Sequence, residues 1–258
     1  MGNIIYEKKG HTALITLNRQ ETLNALCEKF IAEINETLDR AESDPDIYTI
    51  IITGSGKSFI AGADISEMYE KDEMSIMPWA ALACDLCMRI ENMDKPVIAA
   101  INGYALGGGL ELAMACDIRL ASENAKMGLP ETGLGVICGS GGTQRLPRLI
   151  GTGAAKEMIY TAKIIDAQTA KELRLVNRVT SQGSLTDEAL ALCHDIEKNG
   201  QLAVRAAKRS INASDHMSIQ SGCLFERENF SALFATEDQK TGMGTFLEKK
   251  KEIHFKNR

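Results

Sequence analysis

The sequence predicts an α/β fold of repeated strand–helix units, followed by a helical C-terminal extension. Three observations carry that expectation. The runs Ile47 to Thr53 and Pro96 to Ile101 are apolar and rich in β-branched residues, as buried strands are. Segments with apolar residues at helical spacing alternate with such runs, the signature of parallel β/α units. Near residue 200 the strand patterns stop, which divides the chain into 1–199 and 200–258.

The elements follow in order. Thr12 to Leu17 is the first strand, ending at Asn18. From Cys27 to Ala41, Phe30, Ile31, Ile34 and Leu38 recur at helical spacing, and Asp44-Pro45 ends that helix. The Ile47–Thr53 strand enters the turn Gly54-Ser55-Gly56, and a small-residue loop, Lys57 to Asp64, leads to helical character near Ile65. Ile76 to Asn92 is a long helix. The strand at Pro96–Ile101 feeds three consecutive glycines, Gly107, Gly108 and Gly109, and a further helix. Asp117 to Ala121 is a short strand. Met127 to Glu131 is a turn in which Pro130 fixes the backbone ahead of a carboxylate. Helices open at Gly139–Thr143 and Gly151–Gly153, and Val176 to Val179 is the last strand. From Leu185 onward only helices are expected, with Phe225, Phe230, Phe234 and Phe246 as aromatic anchors. The Glu248–Lys251 run reads as a solvated face.

With 258 residues the chain can bury a large core. Its formal net charge of −6 argues against nucleic acid as a partner, which calls for a basic face. No apolar run approaches the roughly 20 residues of a membrane span. The N-terminus lacks signal-peptide features, so a cytoplasmic location is expected. Seven scattered cysteines and four dispersed histidines form neither a disulfide framework nor a zinc spacing, and Cys84-x-x-Cys87 has no second pair. The cysteines are expected to be reduced, and no metal is expected.

The stretch Asn102 to Cys116 carries the chemistry. A glycine cluster opening a helix leaves backbone N–H groups bare and admits another molecule to them. The positive end of the helix dipole then favours an anion or a developing negative charge. Glu111 lies about one turn in, close enough to act on whatever those groups hold. A packing role for the glycines alone is the alternative. The cluster does not fit G-x-G-x-x-G, and it lacks the Lys-Ser/Thr of a phosphate loop, which argues against a nucleotide cofactor.

Four linked motifs, Ser58–Ile65, Asn102–Leu112, Pro130–Gly135 and Gly141–Leu146, resemble the crotonase (enoyl-CoA hydratase) superfamily in order and spacing. The resemblance runs from about Asn3 to Arg258 and is nearest to short-chain enoyl-CoA hydratases, also called 3-hydroxybutyryl-CoA dehydratases. It implies a crotonase fold of stacked ββα units and reversible syn hydration of a trans-2-enoyl-CoA. Coenzyme A would enter as part of the substrate, with no separate cofactor. By matching position, the backbone N–H groups of Ala63 and Gly108 would hold the thioester oxygen. Glu111 would orient and deprotonate water, and Glu131 would exchange the proton at C2. Lys57, Ala61, Ala63, Asp64 and Ile65 would line the CoA site, with Phe230 and Lys249 reaching the adenine end from a neighbouring subunit. Homotrimers or hexamers are implied.

Two departures, Leu129 where relatives commonly have Gln and Cys138 where they commonly have Pro, put the acyl chain-length preference in doubt. An enoyl-CoA isomerase needs only one of the two carboxylates. A non-catalytic or RNA-associated relative would need neither, so the presence of both Glu111 and Glu131 disfavours these rivals.

Overall fold

The computed structural model describes residues 2–249 and 253–258. Its larger sheet runs β1–β2–β3–β5–β7–β10. Strands β1 (Ile4–Lys9) and β2 (Thr12–Leu17) form an antiparallel hairpin, turned at Gly10. β2, β3 (Thr49–Gly54), β5 (Val97–Ile101), β7 (Ile118–Ser122) and β10 (Arg178–Thr180) pair in parallel. A smaller sheet stacks four three-residue strands in the order β4 (Ser58–Ile60), β6 (Tyr104–Leu106), β8 (Lys126–Gly128) and β9 (Ile164–Asp166). Each central unit thus sends one strand to each sheet before its helix, which gives the expected ββα repeat.

Side chains of the larger sheet alternate between two apolar layers, as the two-residue period of a strand requires. Ile50, Ile52, Val97, Ala99 and Ile101 face the main core, together with Phe30, Ile34 and Leu38 of α1 (Glu28–Ser43). Leu14, Ile51, Ile98, Ala100 and Leu120 face Leu185, Ala189 and Cys193 of α8 (Leu185–Glu197). The N-terminal 199 residues therefore include a helix on the outer face of the sheet. Beyond it come α9 (Gln201–Ala213), α10 (Ile219–Leu233) and α11 (Glu237–Leu247).

The structure corrects several expectations. Strand β1 was not foreseen, because its residues are half-buried or exposed with no alternation between faces. The smaller sheet was missed altogether, since three residues carry no readable period. The long helix is α3 (Glu73–Asn92), three residues longer than expected. There Ser75 N donates to Asp72 Oδ1 (2.9 Å) and Asp72 N to Ser75 Oγ (2.8 Å), a reciprocal cap that starts the helix early. The last strand begins at Arg178 rather than Val176, whose buried side chain belongs to the core. The chain also does not end in helix. Residues 253–258 turn back, and Lys256 N and Asn257 N donate to the buried Asp238 carboxylate (2.6 and 2.9 Å). Of the basic run, Lys250 and Lys251 lie outside the described residues.

The buried helix α4 (Gly108–Ala115) is central to the site. Its last carbonyls are met by the Arg119 guanidinium, which donates to Cys116 O (2.7 Å). Gly109 lets this helix touch β4, for a methyl there would overlap the Ile60 carbonyl oxygen. Gly109→Ala is expected to lower stability at or above the upper end of the about 1–3 kcal/mol typical of overpacking. Gly153→Ala, in α6 (Thr152–Tyr160) with open space around it, should gain about 0.4–1 kcal/mol instead. Urea midpoints of the two variants test the contrast; equal midpoints would refute the close-packing role of Gly109.

Candidate active site

Two strand-to-helix loops meet at the site, and each is shaped by specific contacts. The first follows β4. Buried Asn24, in a left-handed conformation, donates from Nδ2 to Ser58 O (3.0 Å) and Phe59 O (3.1 Å) and accepts at Oδ1 from Arg19 N (2.7 Å). Just beyond, Leu26 N donates to Gly62 O (2.9 Å) and Asp64 N donates to Leu26 O (2.7 Å). This short parallel bridge occupies both groups flanking Ala63, so the Ala63 N–H points away from it. The second loop precedes α4. Gly107 has φ 50 and ψ −125, a conformation open to glycine, and its N–H donates to Gly128 O (2.9 Å). A methyl on Gly107 would stand 3.8 Å from Gly62 Cα and 3.0 Å from Glu131 Oε1. The two loops and one carboxylate are therefore in mutual contact.

Among the described residues, neither Ala63 N–H nor Gly108 N–H has a hydrogen-bond partner. Gly108 opens the helix, where the first N–H groups have no intrahelical acceptor. Two free donors on adjoining loops, one at the positive end of a helix, suit an oxygen that gains negative charge. At Gly108 itself φ is not positive. A side chain there would instead press on Leu26 Cδ1 at 3.1 Å, so the need for glycine at this position comes from crowding.

Glu111, 2% exposed, lies in the first turn of α4. Its Oε1 accepts from Ser140 N (2.8 Å) and Gly142 N (2.7 Å), at the start of α5 (Gly142–Ile150). Arg145 supports that loop by donating to Ser140 O (2.9 Å), and Glu91 holds Arg145 at 2.6 Å. Glu131 lies in the 3-10 turn Pro130–Leu134, and its buried Oε2 has no partner. Burial raises the Glu111 carboxyl above its ordinary range; the two N–H donors oppose it and the nearby Glu131 charge adds to it. Burial likewise raises Glu131, opposed by its own backbone and by the nearby Cys138 thiol. Desolvation thus outweighs the helix-start donors, a balance that sequence alone left open.

The expected CoA residues fall in two groups. Lys57 is exposed, Ala61 and Ala63 are half-buried, and Asp64 caps α2 (Ile65–Met68) by accepting from Ser66 N (3.2 Å). Ile65 is half exposed on the same loop. Phe230, on α10 and 59% exposed, packs edge-on against Phe234 and lines cavities of about 560 and 270 Å³. The residues that wall these cavities lie at or beyond Gly200, and none comes from the Lys57–Ile65 loop. Lys249 follows α11 with φ 55. Leu129 is fully buried and Cys138 nearly so. Sequence reasoning missed Asn24, Leu26, Glu91 and Arg145. The Leu23-Asn24 pair, an asparagine suited to a left-handed turn, was the available signal for Asn24.

The chain is matched by known proteins. The enoyl-CoA hydratase/isomerase family model covers residues 7–258. A short-chain-enoyl-CoA hydratase of Clostridium acetobutylicum is 45% identical, covering 100% of this chain and 99% of that protein. A crotonyl-CoA hydratase of Syntrophomonas wolfei is 47% identical, covering 96% of each. The crystal structure of an enoyl-CoA hydratase from Bacillus anthracis superposes with a TM-score of 0.95 at 39% identity, covering 100% of both chains.

The raised Glu111 carboxyl has a consequence for stability. Below its ordinary value of 4.5 the group is protonated in both folded and unfolded chains and no penalty arises. As pH rises, the unfolded chain ionises first and stability falls, until the penalty is complete above the raised folded value. Glu111→Gln is therefore expected to be more stable than wild type at neutral pH. The gain should shrink as pH falls towards 4.5. Denaturant unfolding at several pH values tests this; a variant less stable at neutral pH would contradict the balance described.

Proposed function

From the premise that this chain belongs to the enoyl-CoA hydratase/isomerase family, we propose that it is an enoyl-CoA hydratase, acting on short-chain trans-2-enoyl-CoA thioesters through two glutamates and a backbone oxyanion hole. The observation that carries this reading is the convergence of two buried carboxyls on one loop junction with free N–H groups. In the reading, Ala63 and Gly108 N–H groups hold the thioester oxygen, and charge that develops there during addition is stabilised by fixed donors. Removing one such donor typically costs about 3–4 kcal/mol.

Glu111 and Glu131 differ in a way that suits two roles. Two backbone N–H groups support the charged form of Glu111 at Oε1 and leave Oε2 to orient and deprotonate water for attack at C3. Among the described residues no loop N–H pair supports the charged form of Glu131, and burial favours the protonated form that delivers a proton to C2. An isomerase would need one shuttling carboxylate only, so the paired arrangement favours hydration. The full burial of Leu129 beside Glu131 supports a confined acyl pocket.

Glu111→Gln and Glu131→Gln are each expected to lower hydration by at least about 100-fold, with acyl-CoA binding largely kept. Absorbance of the enoyl thioester across a ladder of acyl lengths measures both rate and chain preference. Near-normal turnover in either variant would end the two-carboxylate reading.

The extension from residue 200 serves, in the same proposal, for assembly into trimers or hexamers and for completing the CoA site. The exposure of Phe230, in cavities that no residue of the Lys57–Ile65 loop lines, supports it. Binding energy at the nucleotide end would help position the reacting carbons. Inactive Glu111→Gln chains, co-refolded with inactive Phe230→Ala, Lys249→Ala chains, should then regain partial activity. Mixed oligomers without any recovery would refute a shared site.

A further inference from the structure

Helix α2 is a single turn, too short to be stable by its own hydrogen bonding. It begins at Ile65, just past Ala63, so whatever anchors α2 also sets where the Ala63 N–H points. Glu67, half-buried on that turn, is such an anchor. Its Oε2 accepts from the indole Nε1 of buried Trp79 in α3 (2.7 Å) and from the backbone N of Glu28, the first residue of α1 (3.1 Å). Cys27, at the cap of α1, makes no side-chain bond to the helix start, so Glu67 caps α1 from another element. A carboxylate there also meets the positive end of the α1 dipole. Lys71, just past α2, reaches Glu28 Oε1 at 3.4 Å as a second tie. The residues leading into α1 touch both proposed oxyanion donors. Leu26 forms the bridge to Ala63, and its Cδ1 would meet a side chain on Gly108 at 3.1 Å.

We propose that Glu67 is a positioning residue for the oxyanion site, its carboxylate clamping α2 between the start of α1 and Trp79 so that the Ala63 N–H keeps its aim. The inference rests on the oxyanion role given above to Ala63 and Gly108. Glu67 acts without touching substrate. A donor stabilises a developing oxyanion only where it is fixed beforehand, and a misplacement of about 1 Å can lower a rate by roughly 100-fold. Gly108 is set by the frame of α4 itself. Ala63 lies on a loop whose bonds before α2 run to Leu23 and Leu26. Beyond Asp64, the Glu67 carboxylate makes the next hydrogen bond to another element among the described residues. Both donors converge on the one oxygen, Oε2, so a neutral amide oxygen in its place would accept from both. The clamp is therefore a matter of position before it is one of charge.

The test uses butanoyl-CoA, isotope-labelled at the thioester carbonyl, a saturated thioester that cannot be hydrated. With enzyme in excess, difference infrared spectroscopy reads its carbonyl stretch, which falls as the oxyanion donors pull on the oxygen. Hydration of but-2-enoyl-CoA supplies kcat and KM. Binding to the wild type should lower the stretch. In Glu67→Ala most of that shift should be lost, and kcat should fall about 10- to 100-fold with KM within about 3-fold. Glu67→Gln, which keeps an oxygen for both donors, should restore most of the shift and the rate. Glu67→Asp keeps the charge but is too short to reach Trp79 and Glu28 together, so it should resemble the alanine variant. If Glu67→Ala does not fold, Glu67→Asp and Trp79→Phe carry the same comparison. A folded variant with a lower urea midpoint but the full shift and an unaltered kcat would overturn the proposal, as would an equal loss in Glu67→Gln. A wild-type enzyme that leaves the stretch unmoved would instead overturn the oxyanion reading itself.

Discussion

Backbone-to-backbone contact between the smaller sheet and the elements around it is the constraint on which the site depends. A methyl on Gly103 would overlap Lys57 O, and one on Gly109 would overlap Ile60 O. Only without side chains at these positions can β4 lie directly beside β6 and α4. That closeness sets the Ala61–Asp64 loop against Gly107, and with it the two free N–H groups. The contact alone would not hold the loop, because three-residue strands bring few ladder bonds. Asn24 supplies the missing fixation through two carbonyls of β4, and Ser58 Oγ adds a bond to Leu23 O at 2.6 Å. A fully buried asparagine is tolerated here because its amide is satisfied on both sides.

The second constraint is electrostatic. α4 is apolar and buried on every side after Gly108, and Glu111 is its one charged residue. A carboxylate in such a place is paid for by few partners: two N–H groups and, at one remove, Arg145. The support is partial, which is why the carboxyl remains raised. A fully satisfied carboxylate would be a weak base, whereas one left short of donors is held nearer the range useful for proton transfer at neutral pH. The cost in stability at neutral pH is what the burial of this carboxyl imposes.

What the sequence disclosed, and what it withheld, follows from length and locality. Long apolar strands such as β3 and β5 are legible because all their residues but the terminal Gly54 are buried and β-branched side chains dominate. The glycine cluster and Glu111 were legible because a helix start and its first turn are local in sequence. The smaller sheet was not legible, since its strands are three residues each and their partners lie tens of residues away. The bridge from Leu26 to Ala63 has the same character, a contact formed only by the folded chain. Glu131 was recognisable by its place in a motif, yet its unpartnered oxygen depends on packing. The reversal of the chain after α11 depends on Asp238, a residue that reads as surface charge until its two backbone donors are seen.

The C-terminal helices are tied to the catalytic region by contacts that converge on one loop. Buried Lys208 of α9 donates to Asp117 (2.8 Å) and Lys95 O (3.1 Å), joining the extension to the start of β7 and the turn before β5. One turn on, Asn212 donates to Glu91 O (2.8 Å) at the end of α3. The Glu91 carboxylate holds Arg145, Arg145 holds Ser140 O, and Ser140 N holds Glu111. Each link is a hydrogen bond or ion pair between groups that are at least partly buried, so each limits how far the next can move. Of the two ion pairs, Lys208–Asp117 is the more buried, and breaking one side of a buried pair typically costs about 3–5 kcal/mol. The extension therefore does more than cover the sheet. It fixes the far end of α3, and through that helix it steadies the loop whose N–H groups hold Glu111 Oε1.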